Sequence, residues 1–255
     1  MIIRAVEAGP RTVGELAELT GVSTISVRRD LVEFAEQGAL VRTRGGAAPA
    51  KRRGSEYPFG LRQSEESVTK QALADLAATL VKPGDSVLVD NGTTALAVAV
   101  ELAGLGVTAL ALSLHAAAAL ASRPGNQVIV PGGLVDHDDL GFTSAGAADA
   151  VRAMRFDVAI FGACAADPDT GLTVAGWGDA QVKRAALANS RRAILVATAD
   201  KFSRTAAHRF GDLSDLDTIV TTPDAGVVVR YQARQAGVEV LTIPAADNPS
   251  APRAG

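Results

Sequence analysis

The stretch that decides the fold of the N-terminal part is ELAELTGVSTISVRRDLVEFAEQGALVRTRGGA, residues 15–47. Gly21 ends a short helical pattern, and Ser23 is a favourable N-cap for the longer helix that follows. Gly38 is expected to end this longer helix. Its apolar face consists of Val27, Leu31 and Phe34. Two helices joined by a tight glycine turn predict a helix-turn-helix.

The residues on either side complete this unit. An earlier short helix is predicted in MIIRAVEAGP, residues 1–10, where the Gly-Pro pair ends it. After the longer helix, ALVRTRGGA at 39–47 alternates apolar and basic residues and closes on Gly45-Gly46, as a small β-wing would. We therefore predict a winged helix-turn-helix DNA-binding domain at residues 1–53.

The N-terminal half of the longer helix carries hydroxyl and basic side chains. Such side chains, together with the helix N-terminus, can meet base edges and phosphates in a major groove. The wing adds two arginines for phosphate contacts. The candidate DNA-binding residues are Ser23, Thr24, Ser26, Arg28, Arg29, Arg42 and Arg44. The alternative is that Arg28, Arg29 and Asp30 form a solvated helix face paired with Glu33.

Charge is divided unevenly along the 255 residues. The 25 Lys and Arg against 28 Asp and Glu give a net charge of -3, which alone argues against a polyanion as partner. Residues 1–53, however, have a net charge of +3 and the remainder has -6. A positive N-terminal part suits DNA. The stretch AAPAKRRGSEYP at 47–58 predicts a linker, which we place at 54–67.

Composition excludes several classes of protein. Cys164 is the only cysteine, so neither an intramolecular disulfide nor a thiolate metal cluster can form, and a reducing cytosol is expected. No window of 18 apolar residues lacks a charge or a turn signal, and the first ten residues have no basic segment leading into a long apolar stretch. We expect a cytoplasmic protein, nucleoid-associated when bound to DNA, with no membrane partner.

From residue 68 the pattern changes to apolar runs that alternate with helical stretches. Strands without polar alternation, separated by helices, imply a parallel sheet covered on both faces. We predict an α/β, Rossmann-like domain at 68–244 and a flexible tail at 245–255. The predicted strands are SVLVD at 86–90, VTALAL at 107–112, QVIV at 127–130, FDVAIFGA at 156–163, RAILVAT at 192–198, DTIVTT at 217–222 and VEVLTI at 238–243.

Ligands bind to such sheets beyond the carboxyl ends of the strands, so polar residues at those ends are candidate ligand contacts. The run DNGTT at 90–94 lies between a strand and a helix, where glycine allows close approach and the helix N-terminus favours an anion such as phosphate. The same residue types also serve many β-α turns as turn and N-cap residues. Other strand ends and helix starts carry Gly132, Gly133, Gly162, Gly171, Asp179, Lys183, Asp200 and Lys201.

Both parts resemble the DeoR family of bacterial transcriptional regulators. In the helix-turn-helix the matching residues are Val22-Ser23, Ser26-Val27, Arg28-Arg29-Asp30-Leu31 and the glycine pair of the wing. In the C-terminal part they include DNGTT, VPGGL at 130–134, Gly141, FDVAIFGA, GLT at 171–173, DAQVKRA at 179–185 and ADKFSR at 199–204. Family members usually begin several residues earlier, so either the first helix is clipped and less stable than usual or the start codon is misassigned.

The resemblance implies a C-terminal sensor similar in fold to ribose phosphate isomerases and glucosamine phosphate deaminases, with a phosphorylated sugar as effector. Carried over to this chain, the effector would be held by Asp90, Gly92, Thr93 and Thr94 around the phosphate or a sugar hydroxyl, by Lys183 and Lys201 as cations, and by Gly132, Gly133 and Asp179. The implied protein is a homo-oligomeric repressor. It binds double-stranded operator DNA, needs no cofactor, and changes its operator affinity when the effector binds.

Two other functions fit parts of the sequence. An isomerase or deaminase acting on a sugar phosphate could take its acid or base from Asp90 or Asp179, next to Lys183. The DNA-reading motif argues against that enzyme. A transcriptional activator would share every residue named above with a repressor.

Three further features have plainer interpretations. Asp136-His137-Asp138-Asp139 is interpreted as a solvated acidic loop, because adjacent loop residues cannot all point at one metal ion, and no metal site is predicted. Cys164 is interpreted as a core or pocket-wall residue and not as a nucleophile. Trp177, within GWGD at 176–179, either covers a ligand or packs against the protein.

Overall fold

The protein is described by a computed structural model that covers residues 1–7, 9–36, 39–49 and 59–244. The chain divides into two compact units, Met1–Arg62 and Gln63–Gly255, and this boundary falls within the predicted linker at 54–67. Three expectations lie wholly or partly outside the described residues: the helix stop at Gly38, the linker where it spans 54–58 and the tail at 245–255. Across the described ranges, no helix is long and apolar enough to span a bilayer.

The N-terminal unit contains three helices and a small antiparallel sheet. Its elements are α1 Ile2–Glu7, β1 Arg11–Thr12, α2 Val13–Thr20, α3 Thr24–Glu36, β2 Leu40–Thr43 and β3 Gly46–Pro49, and α4 Phe59–Ser64 lies at its boundary. The sheet has the order β1-β3-β2. Buried side chains of Val6, Leu16, Val27 and Leu31 belong to one core. The predicted winged helix-turn-helix is thereby confirmed.

Local residue choices fix where these helices begin and end. Thr12 Oγ1 accepts a hydrogen bond from Glu15 N at 3.2 Å, and Thr12 N donates to the Glu15 carboxylate at 2.7 Å, so α2 begins with a capping box. The backbone hydrogen bond from Thr12 is the main reason that the pKa of Glu15 is lowered. Gly21, with φ of 71°, ends α2. Ser23 caps α3 as predicted, because its Oγ accepts from Ser26 N at 3.2 Å.

The glycine pair of the wing is required for two different reasons. Gly45 has φ of 87°, a left-handed conformation that favours glycine. A Cβ on Gly46 would lie 2.0 Å from the carbonyl oxygen of Arg11. Strands β1 and β3 can therefore pair at this point only because residue 46 has no side chain.

The C-terminal unit is built on a seven-stranded parallel sheet. Strands of this unit, in chain order, are β4 Ser86–Val89, β5 Thr108–Ala111, β6 Gln127–Ile129, β7 Val158–Phe161, β8 Ala165–Asp167, β9 Gly171–Val174, β10 Ala193–Ala197, β11 His208–Gly211, β12 Thr218–Thr221 and β13 Glu239–Thr242. The parallel sheet has the order β13-β12-β10-β7-β4-β5-β6. All seven predicted strands are present, each shorter than predicted. The helices are α5 Ser67–Ala78, α6 Thr93–Glu101, α7 Leu114–Leu120, α8 Ala145–Arg152, α9 Trp177–Asn189 and α10 Val227–Gln235, with 3-10 turns at Ala199–Ser203 and Leu213–Asp215.

Several elements lie outside the predicted β-α alternation. Strands β8, β9 and β11 form a separate antiparallel sheet in the order β11-β9-β8. They are three or four residues long, which is too short for a clear period. Helix α8 has the sequence AGAADAVR, whose small side chains leave little apolar pattern. Helix α4 and the start of α5 occupy the second half of the predicted linker, so that segment is helical where a linker was expected.

The parallel sheet is buried on both faces and its strand order locates a crevice. Leu88 belongs to one hydrophobic core, and its neighbours Val87 and Val89 belong to the other. From β4 the chain adds β5 and β6 on one side, and then returns to place β7, β10, β12 and β13 on the other. The order therefore reverses between β4 and β7. In open α/β sheets, ligands bind beyond the carboxyl ends of the strands at such a switch point.

Candidate DNA-binding surface and effector site

The N-terminal half of α3 faces solvent. Ser23, Thr24, Arg28 and Arg29 are exposed, and Ser26 is partly buried because it belongs to the cap. Arg29 Nε lies 3.8 Å from Asp30 Oδ1, a long ion pair at the surface. Both interpretations of this face, DNA-reading and merely solvated, require such exposure.

The wing adds two exposed cations, and α3 adds an apolar residue that the sequence interpretation missed. On β2 only Leu40 is buried, which leaves Arg42 exposed, and Arg44 is exposed in the turn that follows. Ile25 is 76% exposed in the first turn of α3. The available signal was its position, out of phase with the buried Val27 and Leu31. An exposed apolar side chain there can contact a thymine methyl group in a major groove.

Asp90 occupies the switch point. It follows β4 directly, and its Oδ2 accepts a hydrogen bond from Gly162 N, just after β7, at 2.8 Å. The carboxylate therefore connects the carboxyl ends of the two strands between which the order reverses. Asp90 is only 1% exposed.

A buried lysine from α9 pairs with this carboxylate. Lys183 Nζ donates to Asp90 Oδ2 and lies 3.4 Å from Asp179 Oδ1, one turn earlier on the same helix. The ammonium also lies 5.8 Å from the centre of the Phe210 ring. Burial disfavours charge on Lys183, but Asp179 and Asp90 outweigh burial and raise its pKa above the ordinary value. Lys183 is therefore a permanent cation at neutral pH.

One oxygen of Asp90 has no protein partner. Asp90 Oδ1 is buried and accepts no hydrogen bond from the described residues. A buried carboxylate oxygen without a partner is costly, since the desolvation of a charged group is not compensated. The oxygen is thus an acceptor available to the hydroxyl group of a ligand.

The start of α6 lies beside this pair. Gly92 is its N-cap and supplies no side-chain cap, Thr93 is buried and Thr94 is partly buried. A helix start without a side-chain cap offers its first backbone amides and the positive end of the helix dipole to an anion. DNGTT therefore joins two kinds of group: a paired carboxylate at residue 90 and an uncapped helix start at residues 92–94.

The remaining predicted site residues lie at other strand ends. Gly132 and Gly133 follow β6, two strands from β4, and both have positive φ, at 76° and 89°. Lys201 lies after β10, in the 3-10 turn, with its Nζ 4.0 Å from Asp200 Oδ2. Asp200 is in turn 3.2 Å from Arg204 Nη2. Within the described contacts, Asp90 interacts with Gly162 and Lys183, and Lys183 also interacts with Asp179, whereas Lys201 contacts its neighbour Asp200.

The structure also shows the surroundings of Trp177 and of the acidic loop at 136–139. Trp177 is 58% exposed and packs edge-on to His208 at 5.6 Å, with Arg184 5.4 Å from its ring centre. It lies about 120 to 160 degrees around α9 from Lys183 and Asp179, which favours packing over covering the site. Asp139, in the loop interpreted as solvated, accepts from Asn91 Nδ2 at 3.0 Å and is therefore part of the site's surroundings.

Comparison with known families assigns the chain. The family described as "DeoR C terminal sensor domain" matches residues 65–222. The chain belongs to the DeoR family. A second description, "DeoR-like helix-turn-helix domain", matches residues 6–53 of this DeoR-family chain and includes α3 with the wing. The match identifies the helix-turn-helix, and the DNA-binding role of the individual residues on α3 stays a prediction.

Curated relatives of this DeoR-family chain match it over most of their length. The glycerol-3-phosphate regulon repressor of Haemophilus influenzae is 33% identical over 237 residues, which cover 92% of each chain. The HTH-type transcriptional regulator GlpR of Haloferax volcanii is 29% identical over 238 residues, or 91% of each chain. The HTH-type transcriptional repressor GlcR of Bacillus subtilis is 28% identical and covers 82% of this chain and 81% of its own.

Among solved structures, ribose 5-phosphate isomerase A of Methanocaldococcus jannaschii is similar with a TM-score of 0.39 and 20% identity, over 54% of this chain and 55% of that one. Similarity at this level concerns the fold alone and supports nothing about activity.

Proposed function

We propose that this DeoR-family regulator represses an operon of sugar or carbohydrate metabolism, and that a phosphorylated sugar bound at the switch point changes its affinity for operator DNA. The observation that carries the effector site is Asp90, which is buried, paired with Lys183 through one oxygen and unpartnered at the other. Repression is supported by relatives whose names describe repressors.

The charges of the proposed effector site divide it into a hydroxyl-binding end and a phosphate-binding end. Asp90 and Asp179 place two carboxylates around the single ammonium of Lys183, so this end has an excess of negative charge. Carboxylates accept hydrogen bonds from hydroxyl groups, so we assign this end to the sugar hydroxyls. The phosphate is assigned to the start of α6, at residues 92–94, where amides and the helix dipole favour an anion. Lys201 is proposed as a further cation for the phosphate.

The charge state of Lys183 excludes this residue as a general base and leaves the two carboxylates beside it as the candidate acid or base of an enzyme. A general base must be able to take up a proton near neutral pH. Lys183 already holds its proton, because two carboxylates raise its pKa. The family match favours a regulator, so the role that we propose for the site is to bind a ligand without a cofactor and without turning it over. Isomerisation or deamination remains the second candidate function, and detectable turnover of ribose 5-phosphate or glucosamine 6-phosphate would favour it.

Effector binding must be coupled to DNA binding for regulation. A coupling free energy of about 1 to 3 kcal/mol would change operator affinity about 5- to 150-fold. We propose a homo-oligomer in the cytoplasm, because paired helix-turn-helix units read half-sites at a fixed spacing and a change in that spacing lowers affinity.

Calorimetric titration with glycerol 3-phosphate, ribose 5-phosphate and glucose 6-phosphate tests the effector site. We expect at least one to bind and to weaken operator binding. We test Asp90→Asn at the hydroxyl end and Thr93→Ala at the phosphate end. Each should lower effector affinity by about tenfold or more, because each removes one charge-assisted or buried hydrogen bond to the effector. Asp149→Asn is the control, since Asp149 is an exposed carboxylate on α8 that pairs with Arg152.

The site assignment is rejected if none of the three compounds binds the wild-type protein. It is also rejected if a bound compound keeps its affinity in both the Asp90→Asn and the Thr93→Ala variants while each remains folded.

A further inference from the structure

Asn91 lies between the effector site and a neighbouring loop. It is 8% exposed and follows Asp90 directly. Its Nδ2 donates to Asp139 Oδ2 at 3.0 Å, across 48 residues of sequence. On its other side, Lys183 Nζ lies 3.5 Å from Asn91 Oδ1. The amide therefore has one orientation, with its NH₂ group toward the loop and its carbonyl oxygen toward the Asp90–Lys183 pair.

Asp139 fixes this orientation because it lies between two donors. Its Oδ1 accepts from Gly141 N at 2.8 Å, while its Oδ2 accepts from Asn91 Nδ2. Two such donors are satisfied only by a side chain with an acceptor on each side. Among side chains of this length, the carboxylate of aspartate has two acceptor oxygens, whereas the amide of asparagine has one. An asparagine at position 139 would direct its own NH₂ group at one of the two donors.

The backbone is shaped for this contact. A Cβ on Gly141 would lie 2.7 Å from Asp139 Oδ1 and 2.9 Å from Asn91 Nδ2, so only glycine permits the approach. Leu140 has φ of 52°, a left-handed conformation that is uncommon for a residue with a branched side chain. Its carbonyl oxygen accepts from Leu114 N at 3.0 Å, which ties the loop to the start of α7. Asp139 is thus held in place from both sides.

We propose that Asp139 is a positioning residue for the effector: it orients Asn91 so that the carbonyl oxygen of Asn91 and the unpartnered oxygen of Asp90 together accept hydrogen bonds from sugar hydroxyls. This inference rests on the proposed effector site. It assigns hydroxyl recognition to Asn91 together with Asp90, and it adds Asp139, in the loop after β6, as the residue that orients Asn91.

The first variant disturbs the hydrogen bond between the two residues. In Asp139→Asn, the new carbonyl oxygen accepts from Gly141 N and the new NH₂ group faces Asn91. Asn91 then turns its own NH₂ toward Lys183 and no longer presents an acceptor to the effector. Affinity for whichever of glycerol 3-phosphate, ribose 5-phosphate or glucose 6-phosphate binds the wild type should fall by about tenfold, the effect of about one buried hydrogen bond.

The second variant reverses the direction of the same hydrogen bond. In the double variant Asn91→Asp with Asp139→Asn, the carboxylate at position 91 accepts from both the amide at position 139 and Lys183, and the net charge is unchanged. Affinity should return to within about threefold of wild type, a difference of less than one uncharged hydrogen bond.

Asp136→Asn is the matched control, because it removes the same charge from the same loop and Asp136 Oδ1 accepts only from Asp138 N, at 2.8 Å, among its described hydrogen bonds. Melting temperatures are measured for every variant. If Asp139→Asn does not fold, the proposal is tested by the double variant alone. An affinity near that of the wild type in the double variant supports the proposal, and a loss of affinity in a folded double variant overturns it.

Three results overturn the positioning role: an unchanged affinity in Asp139→Asn, an equal loss in Asp136→Asn, or a folded double variant without recovery. The proposed function fails separately, when the wild-type protein binds none of the three compounds; the role of Asp139 is then rejected with it.

Discussion

Lys183 is a buried residue of the proposed effector site whose structural role can be measured by replacing it. It is 2% exposed and lies between two carboxylates, Asp90 and Asp179. A buried ion pair contributes little net stability, but removal of one partner leaves an uncompensated buried charge. Lys183 therefore provides the positive charge that pairs with the carboxylates of the proposed effector site in the interior.

Lys183→Met should lower the free energy of unfolding by about 3 to 5 kcal/mol, the usual cost of breaking a buried pair. The double variant with Asp90→Asn should recover part of that loss, because fewer charges are then left unpaired. Because the pKa of Lys183 is raised, its contribution is present throughout the neutral range and is lost only at alkaline pH, above the ordinary value. Urea denaturation measures these differences.

The matched control is Lys82→Met, at an exposed lysine before β4, where the free energy of unfolding should change by less than about 0.5 kcal/mol. Equal stability of Lys183→Met and Lys82→Met would show that the ion pair has no structural role.

Part of the candidate site could be predicted from the sequence at this scale. Asp90, Asp179 and Lys183 follow strand ends or helix starts, so a parallel sheet predicts that they meet, and their direct contacts agree. The pairing of Asn91 with Asp139 could not be predicted, because it depends on how a loop after β6 folds back, and no local pattern encodes a contact 48 residues away. Nor does sequence show that Asp90 Oδ1 lacks a partner.

Helix α3 is the helix to which we assign DNA recognition. Its buried face of Val27 and Leu31 fixes its rotation, and this leaves Arg28 and Arg29 exposed. Replacing both arginines with alanine should weaken operator binding and reduce the dependence of log affinity on log salt by about 0.9 for each phosphate that is no longer neutralised. Fluorescence anisotropy at several salt concentrations measures both quantities.

The control for this pair is Arg152→Ala, an exposed arginine on α8 of the sensor unit. The assignment of α3 as the recognition helix would be wrong if Arg28→Ala with Arg29→Ala left the affinity and the salt dependence at the values of that control.

The close packing of the wing at Gly46 leads to a second prediction. Gly46→Ala places a Cβ 2.0 Å from the carbonyl oxygen of Arg11, so β1 and β3 must separate. Operator affinity should fall while effector affinity stays unchanged, because the effector site lies in the other unit. Gly60→Ala is the control, since a Cβ there meets no atom within 4 Å. Effector affinity that falls together with operator affinity would contradict this expectation.

Elements with a strong period were the predictable part of the fold. The central strands β4, β7, β10 and β12 are rich in Val, Ile, Leu and Ala and are almost fully buried, whereas the edge strands β6 and β13 are partly exposed. All seven predicted strands were found. The antiparallel strands β8, β9 and β11 have three or four residues each and gain their stability from one another, so a single short stretch gives no signal. Helix α4 was missed because it follows the Pro- and Gly-rich stretch that predicted a linker.

At the scale of the whole molecule, the division of charge suggests how binding is confined to one unit. Residues 1–53 are positive and the rest of the chain is negative, so most of the surface repels DNA. Neutralising three exposed acidic residues of the sensor unit, with Glu101→Gln, Asp149→Asn and Asp224→Asn, should tighten binding to random-sequence DNA several-fold. Operator affinity should change less, because base contacts contribute there. An unchanged ratio of operator to random-sequence affinity would contradict this role of the acidic surface.

Trp177 provides a single intrinsic fluorophore. It is the only tryptophan in the chain, and its ring contacts both His208, on β11, and Arg184, on its own helix. The same helix carries Asp179 and Lys183 into the effector site. A shift of α9 against β11 on effector binding would therefore change the surroundings of a single fluorophore, and the intrinsic emission of the unlabelled protein would report it.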